Sequence, residues 1–273
     1  MSEPYFSIVT VTLNCRDDAL KTAQSVWAQE WTDVEYVVED GGSRDGTVEA
    51  IRDDGRPVQI AVAPDKGIYD AMNQAAALCK GRYVLFLNGG DTFRNSNALK
   101  WIAETIGNAD YPEVVYSYNY NVLRQTVVKY PATLGRFYLF RRSVNHQATY
   151  VRRDCFARFG GFDPAFEMLG DNELLARLLL GNRCRSALCP VATVDYKDGG
   201  TSTSEKGRRR VKLERTLIRK MYYSRMERGL YGALHALMLP GLRGRWLHEH
   251  PNSPAARVYY RFANAFNQTL GRR

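Results

Sequence analysis

Short apolar runs alternate with segments of helical periodicity along the first third of this chain. The runs are rich in β-branched residues, and the segments between them place apolar residues three or four positions apart. The first pattern is typical of buried strands and the second of amphipathic helices. Their alternation predicts βαβ units and a mostly parallel central sheet with helices on both faces. The predicted strands are residues 7–13, 34–40, 59–65 and 82–88, and the predicted helices are 16–29, 47–53 and 69–79.

Polar residues stand at the end of each of these four strands. Asn14 follows the first strand, Asp40 ends the second, Asp65 ends the third, and Asn88 and Asp91 bracket two glycines after the fourth. Asp and Asn favour turns, so any one of these positions is explained by turn chemistry alone. Ligands in parallel α/β sheets bind beyond the carboxyl ends of the strands. The four polar ends together therefore predict a ligand site at one edge of the sheet.

Weaker sequence patterns predict the elements that follow the fourth strand. Residues 114–129, rich in tyrosine, predict a hairpin or edge strands. Residues 152–162 predict a short helix ended by glycines, and residues 171–182 predict a second helix with leucines on one face. Residues 191–196 predict a last strand, and the Gly-, Ser- and Thr-rich residues 197–207 predict a mobile loop.

Composition narrows the class of protein. With 45% hydrophobic and 25% charged residues among 273, the chain is typical of a soluble globular protein. The five cysteines are odd in number and form no CxxC pair, which indicates reduced thiols in a cytosolic protein and not a disulfide framework or a zinc site. The N-terminus shows no signal-peptide pattern, and no apolar run approaches the ~18–20 residues that a membrane span needs.

The positive charge is concentrated near the C-terminus. Residues 205–273 hold 16 Lys and Arg but only 4 Asp and Glu, whereas the preceding residues are net acidic. Apolar residues recur at every fourth position from Ile218 to Met238, which predicts an amphipathic helix that ends at Pro240. Residues 251–273 predict a second short helix. Such helices pack back on a domain or lie on an anionic membrane surface, and both interpretations stay open.

Five segments of the chain resemble the family 2 glycosyltransferases of the GT-A fold, in particular the bacterial exopolysaccharide, capsule and O-antigen subgroup. They are SIVTVTLNC, VVEDGGSRDGT, APDKGIYDAMNQA, GRYVLFLNGGDTF and NHQATYVRRDCF followed by GGFD. The resemblance covers residues 5–204. It implies a Rossmann-like GT-A domain at 1–204, with a nucleotide-sugar half at 1–110 and an acceptor half at 111–204. The basic helical extension at 205–273 lies outside it.

The resemblance also implies a divalent metal, Mn²⁺ or Mg²⁺, on the diphosphate of a nucleotide-sugar, usually a UDP-sugar. Asp91 matches the last carboxylate of the family's DxD motif, whereas Gly89 stands at the position of the first. These metals often bind through one or two protein carboxylates, with phosphate oxygens and waters completing the shell. We therefore expect Asp91 to hold the metal together with the nucleotide, and Gly89 and Gly90 to let the backbone approach the diphosphate.

Further positions are implied for the nucleotide. Asp40 matches the family acid that accepts a hydrogen bond from uracil, and Lys66 is a suitable charge partner for phosphate. The remaining implied contacts to the nucleotide are Thr12, Leu13, Asn14, Asp65, Gly67 and Asn88. The loop at 197–207 is expected to close over the nucleotide, with Thr201, Ser202 and Ser204 as phosphate donors.

The catalytic base is expected in the segment GDNELLAR. Asp171 matches the base position, Glu173 is the second candidate, and Gly170 stands where the family often has an acid. Asp171 also suits a helix N-cap, which is the competing interpretation. His146 and Gln147 match a motif on the acceptor side, where Glu173 is also placed.

The resemblance thus implies an inverting, metal-dependent transferase. Asp171 would take a proton from a hydroxyl of a lipid-linked or growing polysaccharide acceptor, in the cytoplasm or on the inner face of the cytoplasmic membrane. An inactive sugar-nucleotide binder is an alternative, because the first acid of each acidic motif is missing. Nucleic-acid binding through residues 205–273 is a weaker one. A dinucleotide oxidoreductase is excluded, because no GxGxxG follows the first strand.

Overall fold

The described residues fold around one continuous nine-stranded sheet flanked by helices. A computed structural model describes residues 3–197, 204–237, 250–254 and 256–257. The strands are β1 Phe6–Thr12, β2 Val34–Asp40, β3 Gln59–Val62, β4 Tyr83–Phe86, β5 Thr92–Phe93, β6 Val114–Asn121, β7 Thr126–Val128, β8 Thr149–Arg152 and β9 Ser186–Tyr196. The helices are α1 Arg16–Trp27, α2 Thr47–Asp53, α3 Ile68–Leu78, α4 Ala98–Asn108, α5 Arg136–Arg141, α6 Asp154–Phe159, α7 Gly170–Ala176, α8 Glu205–Tyr222 and α9 Arg225–Leu237.

The strand order is β3-β2-β1-β4-β8-β6-β9-β5, with β7 paired to β6. The first four strands of this order are parallel, as predicted. β8 enters antiparallel between β4 and β6, and β9 runs parallel to β6. In the register, Thr12 lies beside Asp40, and Asp40 lies beside Val62. The polar ends of β1, β2 and β3 therefore reach the same edge of the sheet.

Both faces of the sheet are buried, which explains why the strands are apolar without a break. On one face, Ile8 of β1 packs with Ala23 of α1 and Ile102 of α4. On the other face, Val9 of β1 packs with Met72 of α3, and Leu174 of α7 belongs to the same cluster. Successive residues of β1 thus point to opposite layers, as the two-residue period of a strand requires.

The structure differs from the sequence predictions at several elements. Residues 114–129 form the predicted hairpin, but β6 lies inside the sheet between β8 and β9 and is not an edge strand. The predicted helix at 171–182 is α-helical only to Ala176 and continues as a π-helical turn over Arg177–Gly181. β9 begins at Ser186, earlier than predicted, and the sequence analysis assigned no element to α4, α5 or β8.

The basic extension packs against the domain in the part that the structure describes. Ile218 of α8 lies in a cluster with Leu169 and Ala176, and Tyr231 of α9 is fully buried beside Phe137. The single predicted helix is divided in two, because the chain turns after Tyr222. The predicted helix end at Pro240 and most of the predicted helix within 251–273 lie outside the described residues. No described helix is both long enough and apolar enough to cross a membrane.

Candidate active site

Asp40 is fully buried at the end of β2 and is saturated with hydrogen bonds from the protein. Its Oδ1 accepts from the backbone N–H groups of Gly42 and Ser43, at 3.0 and 2.7 Å. Its Oδ2 accepts from the hydroxyls of Thr12 and Ser43, at 2.8 and 2.6 Å. Asp40 therefore orders the loop after β2. This corrects the predicted contacts of Asp40 and Thr12 with the nucleotide, because neither oxygen is left for a nucleobase and the Thr12 hydroxyl is engaged.

Asp65 and Leu13 meet beside this loop. A β-carbon at Gly41 would lie 2.5 Å from Asp65 Oδ2 and 3.4 Å from Leu13 Cδ1, so both side chains border the same glycine. Leu13 is 57% exposed, and Asp65 Oδ1 accepts from the Gly67 N–H at 2.8 Å. An exposed apolar side chain beside a carboxylate is suited to a planar, partly polar group such as a nucleobase.

Asn14, Lys66 and Gly67 are the other residues of these loops that are predicted to contact the nucleotide, and the backbone conformation of the loops fixes their positions. Asn14 adopts a left-handed conformation, with φ of 49°, and its side chain accepts from the Arg44 N–H at 2.9 Å. Gly67 precedes α3, and the Lys66 N–H donates to Asp70 Oδ2 at 2.9 Å. The Lys66 side chain is exposed and forms no ion pair within the described ranges. Its ammonium group is therefore available for an anion.

The turn after β4 packs tightly on α1. A β-carbon at Gly89 would lie 2.9 Å from Cys15 Sγ, and Gly90 has a φ of 97° that favours glycine. Thr22 of α1 accepts from the Gly90 N–H at 2.9 Å and donates to the Asp91 carbonyl at 2.8 Å. Gly89 therefore lets the turn approach α1 closely and Gly90 suits its positive φ, while the expected approach of a diphosphate to both glycines stays a prediction.

Asp91 is 8% exposed and is the most perturbed carboxyl group at this edge of the sheet. Burial raises its pKa to about 6, although the His146 charge, a hydrogen bond from the Gln147 side chain and the Lys197 backbone N–H act to lower it. Gln147 thus stands beside Asp91, and its role as an acceptor-binding residue stays a prediction. A carboxylate with this little solvation gains strongly from a cation.

His146 connects the end of β4 with α7. Its Nε2 lies 3.0 Å from Asn88 Nδ2, and its Nδ1 lies 3.5 Å from Asp171 Oδ2. Asp171 Oδ1 accepts a hydrogen bond of 3.1 Å from the Tyr69 hydroxyl. Leu169 occupies the N-cap position of α7, which removes the interpretation of Asp171 as the cap. His146 and Tyr69 therefore hold Asp171 from two sides, and its carboxylate lines the same cavity as His146.

Tyr69 is the site residue that the sequence analysis missed. Its buried ring stacks on Phe162, with ring centroids 5.3 Å apart. A β-carbon at Gly170 would lie 2.8 Å from this ring, so the glycine that stands in place of a family acid is required by Tyr69. Burial and the Asp171 charge raise the pKa of Tyr69, which keeps its hydroxyl a proton donor. The motif GIYDAMNQA contained Tyr69, but nothing in its spacing indicates the partner on α7.

Glu173 lies away from the other predicted site residues. It is 2% exposed, and its carboxylate pairs with Arg177 at 2.5 Å and accepts from the Tyr222 hydroxyl. Its oxygens are therefore engaged inside the protein, which corrects its prediction as an acceptor-binding residue and as a second candidate base. Ser204 caps α8 by accepting from the Gly207 N–H at 3.0 Å, and Thr201 and Ser202 lie outside the described residues.

A divalent metal fits the residues at the end of β4. The Oδ1 atom of Asn88 is buried and has no hydrogen-bond partner in the described structure, and the Asp91 carboxylate follows it in the same turn. No group of three or more His, Cys, Asp or Glu side chains able to hold a metal occurs in the described ranges. Two oxygen ligands suit Mn²⁺ or Mg²⁺ when phosphate oxygens complete the shell.

Comparisons with known proteins identify the family of this chain. The sequence model of the family described as Glycosyl transferase family 2 matches residues 7–159. A PGL/p-HBAD biosynthesis glycosyltransferase of Mycobacterium bovis is 29% identical over 211 residues, which are 75% of this chain and 81% of the relative. An Escherichia coli relative, the UDP-Glc:alpha-D-GlcNAc-diphosphoundecaprenol beta-1,3-glucosyltransferase WfaP, is 30% identical over 129 residues, or 45% of this chain and 48% of its own.

Solved structures share the fold. Staphylococcus aureus TarS 1–349 in complex with UDP-GlcNAc superposes with a TM-score of 0.64 at 15% identity, covering 97% of this chain and 92% of TarS 1–349. The mannosyltransferase PcManGT of Pyrobaculum calidifontis, in complex with GDP-Man and Mn²⁺, superposes with a TM-score of 0.61 at 14% identity. That match covers 100% of this chain and 89% of PcManGT. At these identities the likeness establishes the GT-A fold.

Proposed function

The chain belongs to glycosyl transferase family 2, and from this premise we propose that it transfers a hexose from a UDP-sugar, with inversion, to a hydroxyl group of a lipid-linked or growing polysaccharide. One observation carries the proposal: His146 lies against Asp171 and Asn88 and acts electrostatically on Asp91. A candidate base and a candidate metal-binding turn thus face one space at the carboxyl edge of the sheet, where ligands of α/β folds bind.

Asp171 is the proposed general base. The acceptor hydroxyl oxygen forms a bond to the anomeric carbon while the bond from that carbon to the diphosphate oxygen breaks. The proton of the hydroxyl moves to Asp171, and the electron pair leaves with the diphosphate. One displacement inverts the anomeric centre. The Tyr69 hydroxyl, 3.1 Å from Asp171 Oδ1, holds the carboxylate in position for this transfer.

The diphosphate is proposed to lie at the turn after β4. Asp91 and the unpartnered Asn88 Oδ1 would hold a divalent metal. When bound, this metal neutralises negative charge on the leaving diphosphate. Gln147 keeps the Asp91 carboxylate oriented, and the exposed Lys66 ammonium offers a second positive charge near the nucleotide.

The nucleobase is proposed to lie on Leu13 with Asp65 at its edge. A carboxylate accepts a hydrogen bond from a base that presents a ring N–H, as uracil does. The E. coli relative is named for UDP-Glc and the TarS complex contains UDP-GlcNAc, which supports a uridine nucleotide. Asp40 supports this pocket indirectly, because it orders the loop beside Gly41.

The acceptor is proposed to be presented at an anionic membrane surface. Leu213, Leu217 and Met221 recur at every fourth position of α8 and are 62%, 50% and 55% exposed. Lys212 and Lys220 are exposed on the same helix. An apolar stripe with adjacent lysines suits the interface of a membrane that contains anionic lipid. We propose the inner face of the cytoplasmic membrane as the surface for this contact.

Thermal unfolding with a panel of nucleotides and Mn²⁺ tests the donor part of this function. A ligand at a concentration 100 times its Kd adds about 2.7 kcal/mol to the free energy of unfolding. We expect UDP and one or more UDP-sugars to raise Tm in the presence of Mn²⁺, with CDP as the matched control. No shift with any uridine nucleotide would contradict the proposal. Binding without transfer to any acceptor would instead indicate an inactive sugar-nucleotide binder.

A further inference from the structure

Several positively charged side chains line a cleft between α5 and α8, beside the start of α7. Ser143 and Asn172 contribute polar groups to its wall, and Leu169 and Ile218 contribute apolar ones. No acidic side chain lines the cleft among the residues that the structure describes. Four arginines do: Arg141, Arg142, Arg215 and Arg219.

Arg215 is the charge without a partner in this cleft. Its half-buried guanidinium forms no hydrogen bond or ion pair within the described part of the chain. Burial lowers the pKa of Arg215, and the charge of Arg142 lowers it further. Burial also lowers the pKa of Arg219, with the Arg215 charge adding to it. Arg219 donates two hydrogen bonds to the Phe140 carbonyl, at 3.0 and 2.8 Å, which neutralise no charge.

Neutral donors without partners lie in the same wall. The Ser143 hydroxyl is buried and has no hydrogen-bond partner among the described residues. The side-chain amide of Asn172 likewise forms no hydrogen bond there. Buried polar atoms are almost always paired in folded proteins, so each unpaired group calls for an explanation. Desolvated like charges are also unfavourable unless an anion compensates them. One bound anion would compensate the Arg215 charge and accept a hydrogen bond from the Ser143 hydroxyl.

The position of the cleft indicates what the anion belongs to. Asn172 lines the cleft and directly follows Asp171, so the first turn of α7 borders both the cleft and the cavity of the proposed base. We propose that this cleft binds the phosphate or diphosphate group that joins the acceptor sugar to its carrier. Guanidinium groups bind phosphate oxygens through paired hydrogen bonds, which suits the neighbouring arginines Arg142, Arg215 and Arg219. The inference rests on the proposed function and adds the chemical class of the acceptor.

Titration calorimetry with inorganic pyrophosphate tests this site while saturating UDP and Mn²⁺ occupy the donor site. We expect one equivalent to bind the wild-type protein. Arg215→Gln should weaken this binding about tenfold or more, because a hydrogen bond to a charged group contributes about 1.5–3 kcal/mol. Lys212→Gln removes one exposed charge from the same helix and is the matched control, with unchanged affinity. Equal pyrophosphate affinity in Arg215→Gln and wild type would overturn the proposal.

Two further measurements distinguish an acceptor phosphate from a lipid headgroup, and distinguish failure of the cleft proposal from failure of the proposed donor site. Binding to vesicles with 30% phosphatidylglycerol should be the same for Arg215→Gln and the wild type. A greater loss of vesicle binding in Arg215→Gln than in Lys212→Gln would assign the cleft to a lipid headgroup and overturn an acceptor phosphate. UDP affinity should be equal in all three proteins. Pyrophosphate binding by a protein that fails to bind UDP would support the cleft while contradicting the proposed donor.

Discussion

The buried carboxylate of Glu214 accepts a hydrogen bond of 2.8 Å from the backbone N–H of Leu169, the residue at the N-cap of α7. It also accepts from the N–H groups of Glu167 and Met168, at 2.9 and 3.0 Å. Arg210 donates to it at 2.7 Å and balances its charge. Helix α8 therefore shapes the loop that leads to Asp171, although the sequence analysis divided the chain at residue 204.

Glu214→Ala is expected to reduce both stability and turnover. The substitution leaves three backbone donors without a partner, and an unsatisfied buried donor costs about 1–3 kcal/mol, whereas Arg210 keeps its ion pair with Glu167 at 3.0 Å. Because the loop before α7 loses its support, we expect kcat to fall by about tenfold or more at a temperature where the variant is folded. Urea unfolding and turnover at low temperature measure the two effects.

Glu205→Ala is the control for that prediction. Glu205 pairs with Arg209 in the same helix at the same four-residue spacing, but its side chain is 74% exposed. Exposed pairs of this kind contribute about 0.3–0.5 kcal/mol. Equal losses of stability and of kcat in the two variants would show that the contact between Glu214 and the loop contributes to neither.

Asp171→Asn is expected to abolish most transfer without weakening donor binding. The amide keeps an oxygen that can accept from Tyr69 but cannot take the acceptor proton. General base catalysis contributes about 10²–10⁴-fold, so kcat should fall within that range while the UDP affinity stays constant. Glu173→Gln should instead lower stability, because Glu173 is buried against Arg177. A variant at Asp171 with full activity would rule out this assignment of the base.

Asp91→Asn is expected to stabilise the metal-free protein at neutral pH. The folded-state pKa of Asp91 is about 6, above its ordinary value of 3.8, so the folded state holds this proton more tightly than the unfolded state. Wild-type stability therefore falls as pH rises from about 4 to 6, by up to about 3 kcal/mol from this group. The amide removes that dependence. Urea unfolding at pH 4.5 and 7.5, with EDTA present to remove metal, measures this dependence of stability on pH.

The same variant should lose metal-dependent activity. Stabilisation at pH 7.5 combined with loss of transfer would show that a buried carboxylate is kept at the expense of stability for its role in binding. At pH 4.5 the wild type and Asp91→Asn should differ little, because the wild-type carboxyl is then mostly protonated. A variant that is less stable than the wild type at both pH values would contradict the assigned burial effect.

Mn²⁺ is expected to bind only weakly in the absence of nucleotide. Asp91 and Asn88 supply only two protein side chains, and no group of three or more His, Cys, Asp or Glu side chains able to hold a metal occurs in the described residues. The phosphate oxygens of UDP would supply the missing ligands. Calorimetry should therefore show little heat for Mn²⁺ alone and clear binding after UDP is added. Tight Mn²⁺ binding to the nucleotide-free protein would refute this order.

The sequence predicted the nucleotide half of the fold more closely than the site. β2 and α2 have the predicted bounds, because their periodicity is local and both faces of the sheet are buried. The sequence analysis assigned the glycines after β4 to a ligand. It could not predict a contact such as that between Gly89 and Cys15, because this contact joins residues far apart in the chain. For the same reason neither Tyr69 beside Asp171 nor Glu214 below Leu169 could be predicted from spacing.

Replacing the apolar stripe of α8 is expected to reduce membrane binding without disturbing the fold. Truncation at residue 204 is unsuitable, because it would remove Glu214, Ile218 and Tyr231, which are buried in the domain. Substitution of Leu213, Leu217 and Met221 by Ser removes exposed side chains only.

Each fully buried aliphatic side chain contributes about 1.5–3 kcal/mol in an apolar environment, so the triple variant should bind anionic vesicles at least about tenfold more weakly. Its Tm and its UDP affinity should stay close to those of the wild type, since the stripe packs against no part of the described core. Transfer to a short water-soluble acceptor should also be retained, whereas transfer to a vesicle-embedded acceptor should fall. Unchanged flotation with anionic vesicles would remove α8 as the membrane contact.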